Sequence, residues 1–131
     1  MKGKLIWPIT GKIVSKFGKI INEDLNTVTR NVGVSIQTTN DNKVISVMDG
    51  VVSKIAYIRG FGNLAIINHG DKYITVYANI DNVKIKENDY VKIGSEIGDA
   101  SYDEKTKKNK LHFEIWNGGN ALNPEDWLKK L

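Results

Sequence analysis

Imidazole and thiol groups, the commonest ligands of a catalytic or structural zinc, are scarce in this chain. His69 and His112 are its two imidazoles and it has no cysteine, which rules out disulfides and thiolate metal sites. His112 lies in Lys110-Leu111-His112-Phe113-Glu114-Ile115-Trp116. Side chains alternate between the faces of a strand, so Leu111, Phe113 and Ile115 form an apolar side and Lys110, His112, Glu114 and Trp116 share the other. The same alternation sets Tyr73, Thr75, Tyr77 and Asn79 opposite Ile74, Val76, Ala78 and Ile80, and Asn31, Gly33 and Ser35 opposite Val32, Val34 and Ile36. If these three polar faces converge, they line a groove with imidazole, amide, hydroxyl and aromatic groups, which suits an extended segment or a helix as ligand.

Each residue also has a plainer reading. His112 is either a hydrogen-bonded strand residue or part of a binding surface, and His69, in His69-Gly70-Asp71, reads as a turn residue. Glu114 is placed to pair with Lys110 along the same strand face. Trp116, beside a Gly-rich turn, and Phe61, between Gly60 and Gly62, read as exposed aromatic anchors. Phe61, Tyr77 and Trp116 are then the expected walls of the groove, with Asn31, Lys110 and His112 as its polar set.

Strands must carry these side chains. Period-two alternation predicts them over Lys12 to Lys16, Val32 to Gln37, Val44 to Val47, Val51 to Tyr57, Leu64 to Asn68, Tyr73 to Ile80, Val83 to Ile85, Tyr90 to Ile93 and Leu111 to Trp116. Turn residues punctuate them at Asp49-Gly50, at Arg59 to Asn63, at His69 to Asp71 and at Asn117 to Asn120. One helix is expected at the C-terminal end: Asn123 caps it, Pro124 opens it, Glu125 and Asp126 complement its dipole, and Lys129 and Lys130 sit in its last turn. Trp127, Leu128 and Leu131 would dock on the sheet.

At 131 residues the chain is the size of one domain, and its 40% hydrophobic and 26% charged composition is that of a globular protein. No window offers the roughly 20 apolar residues of a membrane-spanning helix, and Met1-Lys2-Gly3-Lys4 leads into a strand, not a secretory segment. The net charge of +4 is scattered apart from Lys105, Lys107, Lys108 and Lys110, too narrow a patch to predict nucleic-acid binding.

Several blocks together resemble the LytM (lysostaphin-type peptidase-like) family. They are Trp7-Pro8 with Gly11 and Phe17-Gly18, Asn31 to Ile36, Val47 to Val52, Gly62-Asn63 followed by His69-Gly70, and Tyr73 to Asn79. Val91 to Gly94 with Ile97-Gly98, Leu111 to Ile115, and Asn123-Pro124 with Trp127-Leu128 continue the series in the family's order. The resemblance implies an all-β, LytM-like (duplicated hybrid motif) β-sandwich or barrel with a short C-terminal helix, as a single degenerate LytM domain over residues 1–131. Active members hold zinc with the His and Asp of His-x-x-x-Asp and the second His of His-x-His, assisted by the first His of that pair and by a Tyr-x-His histidine. Here Asn31 and Ser35 stand at the first two positions, Asn79 at the Tyr-x-His position and Lys110 at the first His of His-x-His; His112 remains. A catalytic zinc needs three protein ligands and an open water position, which one imidazole does not supply. No catalytic residue, metal or cofactor is therefore expected.

The Trp7-Pro8, Tyr77-Ala78-Asn79 and Trp127-Leu128 blocks look most similar to EnvC-type murein hydrolase activators. That resemblance implies a periplasmic or cell-envelope protein of cell division, from a group usually preceded by a signal sequence and a coiled coil. It would bind the regulatory helix of an N-acetylmuramoyl-L-alanine amidase through the former active-site groove and relieve autoinhibition. The expected groove residues are Asn31, Ser35, Phe61, Tyr77, Asn79, Lys110, His112 and Trp116. A passive peptidoglycan-binding module and a zinc endopeptidase with a rearranged site are the alternatives.

Overall fold

A computed structural model describes residues 2–38 and 41–130. In chain order its elements are β1 (Gly11–Ser15), β2 (Gly18–Asn22), β3 (Thr27–Asn31), β4 (Val34–Thr38), β5 (Lys43–Ile45), β6 (Gly50–Ile58), β7 (Gly62–Gly70), β8 (Tyr73–Asp81), β9 (Tyr90–Val91), β10 (Glu96–Asp103), β11 (Lys108–Asn117), β12 (Asn120–Leu122) and the one-turn helix α1 (Pro124–Trp127). The all-β expectation with a short terminal helix is met.

Ten strands form one open antiparallel sheet ordered β1-β4-β11-β10-β8-β7-β6-β9, with β12 and β5 attached to β11 and β10. β11 and β8 pair directly from His112↔Ala78 to Asn117↔Tyr73. Beyond that stretch β10 wedges between them, pairing Ser101 with Lys110 and Ala100 with Ile80. Tight turns hold the ladder in register. Asp71 and Lys72, at φ 52° and 70°, form the two-residue β7–β8 turn with both φ positive, as a type I′ hairpin requires. Gly33 lets β4 approach β11 closely, since a Cβ there would lie 2.5 Å from the Phe113 carbonyl oxygen. Val34, Ile36, Ile67, Leu111 and Phe113 fill the core on the inner face.

Several elements differ from the sequence expectation. β2 and β3 pair as a separate two-stranded sheet. Along this hairpin Ile21, Val28 and Leu25 are exposed, so burial imprinted no alternation on it. β10, built from Glu-Ile-Gly-Asp-Ala-Ser-Tyr-Asp, contains residue types depleted in strands and owes its extended form to β5, β8 and β11 around it. Val83 to Ile85 lies outside the ladders, although Lys84 N–H donates to the Ile97 carbonyl at 2.9 Å.

Asn123 caps α1 as expected, its side chain accepting from Glu125 N–H at 3.1 Å. The helix ends at Trp127, so Lys129 and Lys130 lie past its last turn. Lys129 belongs instead to a clasp with the N-terminal segment, where Leu5 N–H donates to Trp127 O, Lys129 N–H to Leu5 O and Trp7 Nε1 to Lys129 O, at 3.0, 2.7 and 2.7 Å. Leu128 is buried, and Trp127 packs edge-on against Tyr73. The expected docking of Leu131 and the role of Met1 lie outside the described residues.

Candidate functional site

The outer face of β11 carries Lys110, His112, Glu114 and Trp116, as alternation requires, and the ladder sets what lies beside them. Trp116 pairs with Ile74. Glu114, Val76, Ile66 and Lys54 make the next row across β11, β8, β7 and β6; His112, Ala78, Leu64 and Ala56 make the one after. The result is an open trough of about 350 Å³ with Ile66, Ile74, Val76 and Ala78 in its floor and Phe61 and Trp116 on its rim. Its floor is therefore aliphatic, where the sequence reading expected hydroxyls and amides.

That difference is a correction about β8. Tyr77 is fully buried and packs on Phe113 with ring centroids 5.4 Å apart; it is a core residue and no wall of the groove. Its hydroxyl is what made it look outward-facing, yet that hydroxyl is satisfied inside. Val47 N–H donates to it at 3.2 Å and Thr75 Oγ1 is bonded to it at 2.9 Å. Thr75 Oγ1 is bonded in turn to His69 Nε2 at 2.7 Å, and His69 Nδ1 donates to the Asp49 carbonyl at 2.7 Å. Burial raises the Tyr77 pKa and lowers that of His69, the latter against opposing pulls from the Asp49 carbonyl and carboxylate. His69, expected in a turn, is instead the last residue but one of β7, where its bonds to Thr75 and the Asp49 carbonyl hold it, and it anchors this chain of hydrogen bonds from the side of the sheet away from the trough.

A bulge rescues Asn79 for the outer face. Asn63 pairs with Ile80 and Leu64 with Ala78, leaving Asn79 as an extra residue at φ 62°, where asparagine is among the more tolerated residues. Its N–H donates to the Phe61 carbonyl at 2.8 Å. Ile80 returns to the core while Asn79 joins Ser35, Gly60, Ser101, Asp103, Lys105 and Lys110 around a second, polar pocket of about 430 Å³. Between trough and pocket, the rings of Phe61 and His112 meet at 5.6 Å. Positive φ at Gly60 and Gly62 (93° and 67°) makes the turn that brings Phe61 there.

Hydrogen bonds further define β11. Glu114 does not pair with Lys110; its carboxylate accepts from Trp116 Nε1 at 2.7 Å and lies 2.6 Å from His112 Nε2. Lys110 faces Asp103 at 3.5 Å. Asn31 sits at the root of the β2–β3 hairpin, donating to Ser15 Oγ and the Lys16 carbonyl at 3.0 and 2.9 Å and accepting from Gly33 N–H at 3.4 Å. The groove thus gathers Ser35, Phe61, Asn79, Lys110, His112 and Trp116, whereas Asn31 is engaged at its edge and Tyr77 beneath it. Ile66, Ile74 and Val76 were missed, although the unbroken apolar run Leu64-Ala65-Ile66-Ile67 signals a strand with apolar residues on both faces.

These donors do not fit a zinc ion. The Asn31 amide is spent within the chain, the His112 Nε2 faces Glu114, and the Lys110 ammonium shares the face. Among the described residues no three His, Cys, Asp or Glu side chains are grouped to hold a metal.

Residues 29–124 match peptidase family M23. The chain is 34% identical over 123 residues to the murein hydrolase activator NlpD of Escherichia coli strain K12, covering 93% of this chain and 30% of that protein. It is 34% identical over 118 residues to the cell division protein DipM of Caulobacter vibrioides, covering 87% and 18%. The murein hydrolase activator EnvC of E. coli is 24% identical over 97% of this chain and 29% of its own length. The chain therefore spans less than a third of each of these relatives. Among solved structures, a zinc-containing peptidase from Vibrio cholerae superimposes with a TM-score of 0.81 at 24% identity, over 95% of this chain and 40% of that one.

Proposed function

This chain belongs to peptidase family M23, and on that premise we propose that it is a non-catalytic activator of cell-wall hydrolysis. It binds an N-acetylmuramoyl-L-alanine amidase through the groove on the outer face of β8 and β11 and relieves that enzyme's autoinhibition during cell division. Relatives that are named murein hydrolase activators and a cell division protein support this reading. So does a site that has lost its ligand set, because a family member without an activated water can still bind. The observation that carries the proposal is the trough itself. Ile66, Ile74 and Val76, rimmed by Phe61 and Trp116, offer the apolar floor into which an amphipathic helix lays its anchors. An activator must favour the released state of its target over the inhibited one, so the docked element is one that leaves the inhibited core. The cell envelope is the corresponding location; relatives include a protein named outer membrane antigenic lipoprotein B in Haemophilus influenzae.

The test is to add purified chain to each amidase of the source organism acting on dye-labelled sacculi. Faster dye release with at least one amidase, and none from the chain alone, is the expected result. No stimulation of any amidase rejects the proposal, and sedimentation with sacculi in its place supports a passive peptidoglycan-binding module.

A further inference from the structure

The trough and the polar pocket lie along one line, and that line carries a recognition pattern. Resting on the proposed docking of a helix, we infer that the groove reads its partner at two separated points: an apolar anchor in the trough, and an Asp or Glu carboxylate in the pocket beside Lys110.

On the β11 side of the trough the polar groups are already consumed, and Lys54 stands at the opposite side on β6. Trp116 Nε1 donates to Glu114, and the Glu114 carboxylate also holds His112. An occupant there meets aliphatic floor and aromatic rim and must itself be apolar. The pocket end is the reverse. Among the described residues the side chains of Ser35, Asn79 and Ser101 form no hydrogen bond within the chain, so hydroxyl and amide donors are open to a ligand. Lys110 Nζ stands 3.5 Å from Asp103, at the outer limit of hydrogen bonding, and keeps donors for another acceptor. Asp103 is meanwhile tied into its own turn, accepting from Lys105 N–H at 3.0 Å. The lining of this pocket carries two cations, Lys105 and Lys110, against the single carboxylate of Asp103, so its net charge is positive and complementary to an acid.

The two points have a spacing. Four residue steps along β11 take Lys110 to Glu114, whose row crosses the trough, or roughly 14 Å at about 3.4 Å per residue. A helix lying along β11 and rising 1.5 Å per residue covers that in about nine residues. The partner helix therefore carries its acid two to three turns from its main apolar anchor. Peptidoglycan stem peptides also carry carboxylates, but the methyl groups of alanine and N-acetyl sugars are small for an aliphatic trough of about 350 Å³, which favours the larger apolar side chains of a protein helix.

The probe is the purified full-length amidase that the chain stimulates best, with dissociation constants measured at low and high salt. Wild-type binding should weaken with salt. Lys110→Glu should weaken it by about tenfold or more at low salt and flatten the salt dependence, and replacing the acidic helix residue of the amidase by Lys should restore binding to Lys110→Glu. Lys110→Met, which keeps the aliphatic stem, should give an intermediate loss, and unchanged melting of both variants shows that folding is not the cause. If no amidase binds the wild-type chain, the proposed function falls and takes this inference with it. If the wild type binds and Lys110→Glu binds within about twofold, the docking stands and the acid-reading pocket is wrong. If Lys110→Glu loses sedimentation with purified sacculi while amidase binding is unchanged, the pocket reads stem peptides and the inference is overturned.

Discussion

The two faces of the β8–β11 pair are one residue apart in sequence and opposite in purpose. On the inner face Tyr77 and Phe113 are cross-strand partners, fully buried and in ring contact; on the outer face their neighbours Val76 and Glu114 pair within the trough. Along β8 the inner face carries the hydroxyls of Thr75 and Tyr77, and the outer face carries the aliphatic Ile74, Val76 and Ala78. The lesson is that side-chain polarity did not decide which face met solvent. A hydroxyl is tolerated inside when it is hydrogen-bonded, as Thr75 and Tyr77 are. Aliphatic side chains left under an open groove, in contrast, are surface available to a partner.

This contrast can be broken most forcefully at Tyr77. Tyr77→Ala removes a fully buried ring and takes the hydroxyl acceptor from Val47 N–H, and truncation of a buried aromatic costs about 3–5 kcal/mol. Urea denaturation should show a loss of that order, and Tyr77→Phe a smaller one of about 1–3 kcal/mol for the lost hydroxyl bonds. A Tyr77→Ala protein as stable as the wild type would mean that the inner face is not the core.

Trp116→Ala sharpens the other side. The indole is half-buried on the trough rim, so folding stability should change much less than in Tyr77→Ala. Binding to the stimulated amidase should drop by about thirtyfold, or roughly 2 kcal/mol, as for an aromatic anchor. If the variant binds normally, the rim is not an anchor point and the trough is occupied differently.

A subtler difference between the faces is their response to pH. Burial lowers the His69 pKa from its ordinary value, against opposing pulls from Asp49. Between that lowered value and about 6.5 the unfolded chain binds more protons at this residue than the folded one. The His69 contribution is therefore complete above pH about 6.5 and is lost as pH falls towards the native pKa. Denaturation midpoints should decline over that window in the wild type and decline less in His69→Gln; parallel pH profiles would remove His69 from the account.

The smallest expected effect is that of chelation. Zinc bound only by the native state would stabilise it, so dialysis against a chelator should leave the melting temperature unchanged. A fall in melting temperature, restored by zinc, would show that the outer face still holds a metal through residues other than those weighed above.

Much of this architecture was legible in the residues. Alternation located β4, β6, β7, β8 and β11, the Asn123-Pro124 pair located the start of α1, and the substitutions at Asn31, Ser35, Asn79 and Lys110 could be read directly against the zinc-binding pattern. Local chemistry suffices for the strands and the helix start, because alternation and capping depend on near neighbours; the substituted positions were legible only through the resemblance to the LytM family. Only the tertiary structure decided the rest. Alternation says that Tyr77 and Val76 point apart but not which one points to the core; the Phe113 ring of β11 and Val47, between β5 and β6, decide that by closing around Tyr77. The bulge at Asn79, which keeps this residue in the groove while returning Ile80 to the core, depends on how β7 and the Gly60–Gly62 turn fit against β8. The extended form of β10 likewise comes from the strands on either side, because its own residues have little β-propensity and the ladder hydrogen bonds exist only once those neighbours are in place.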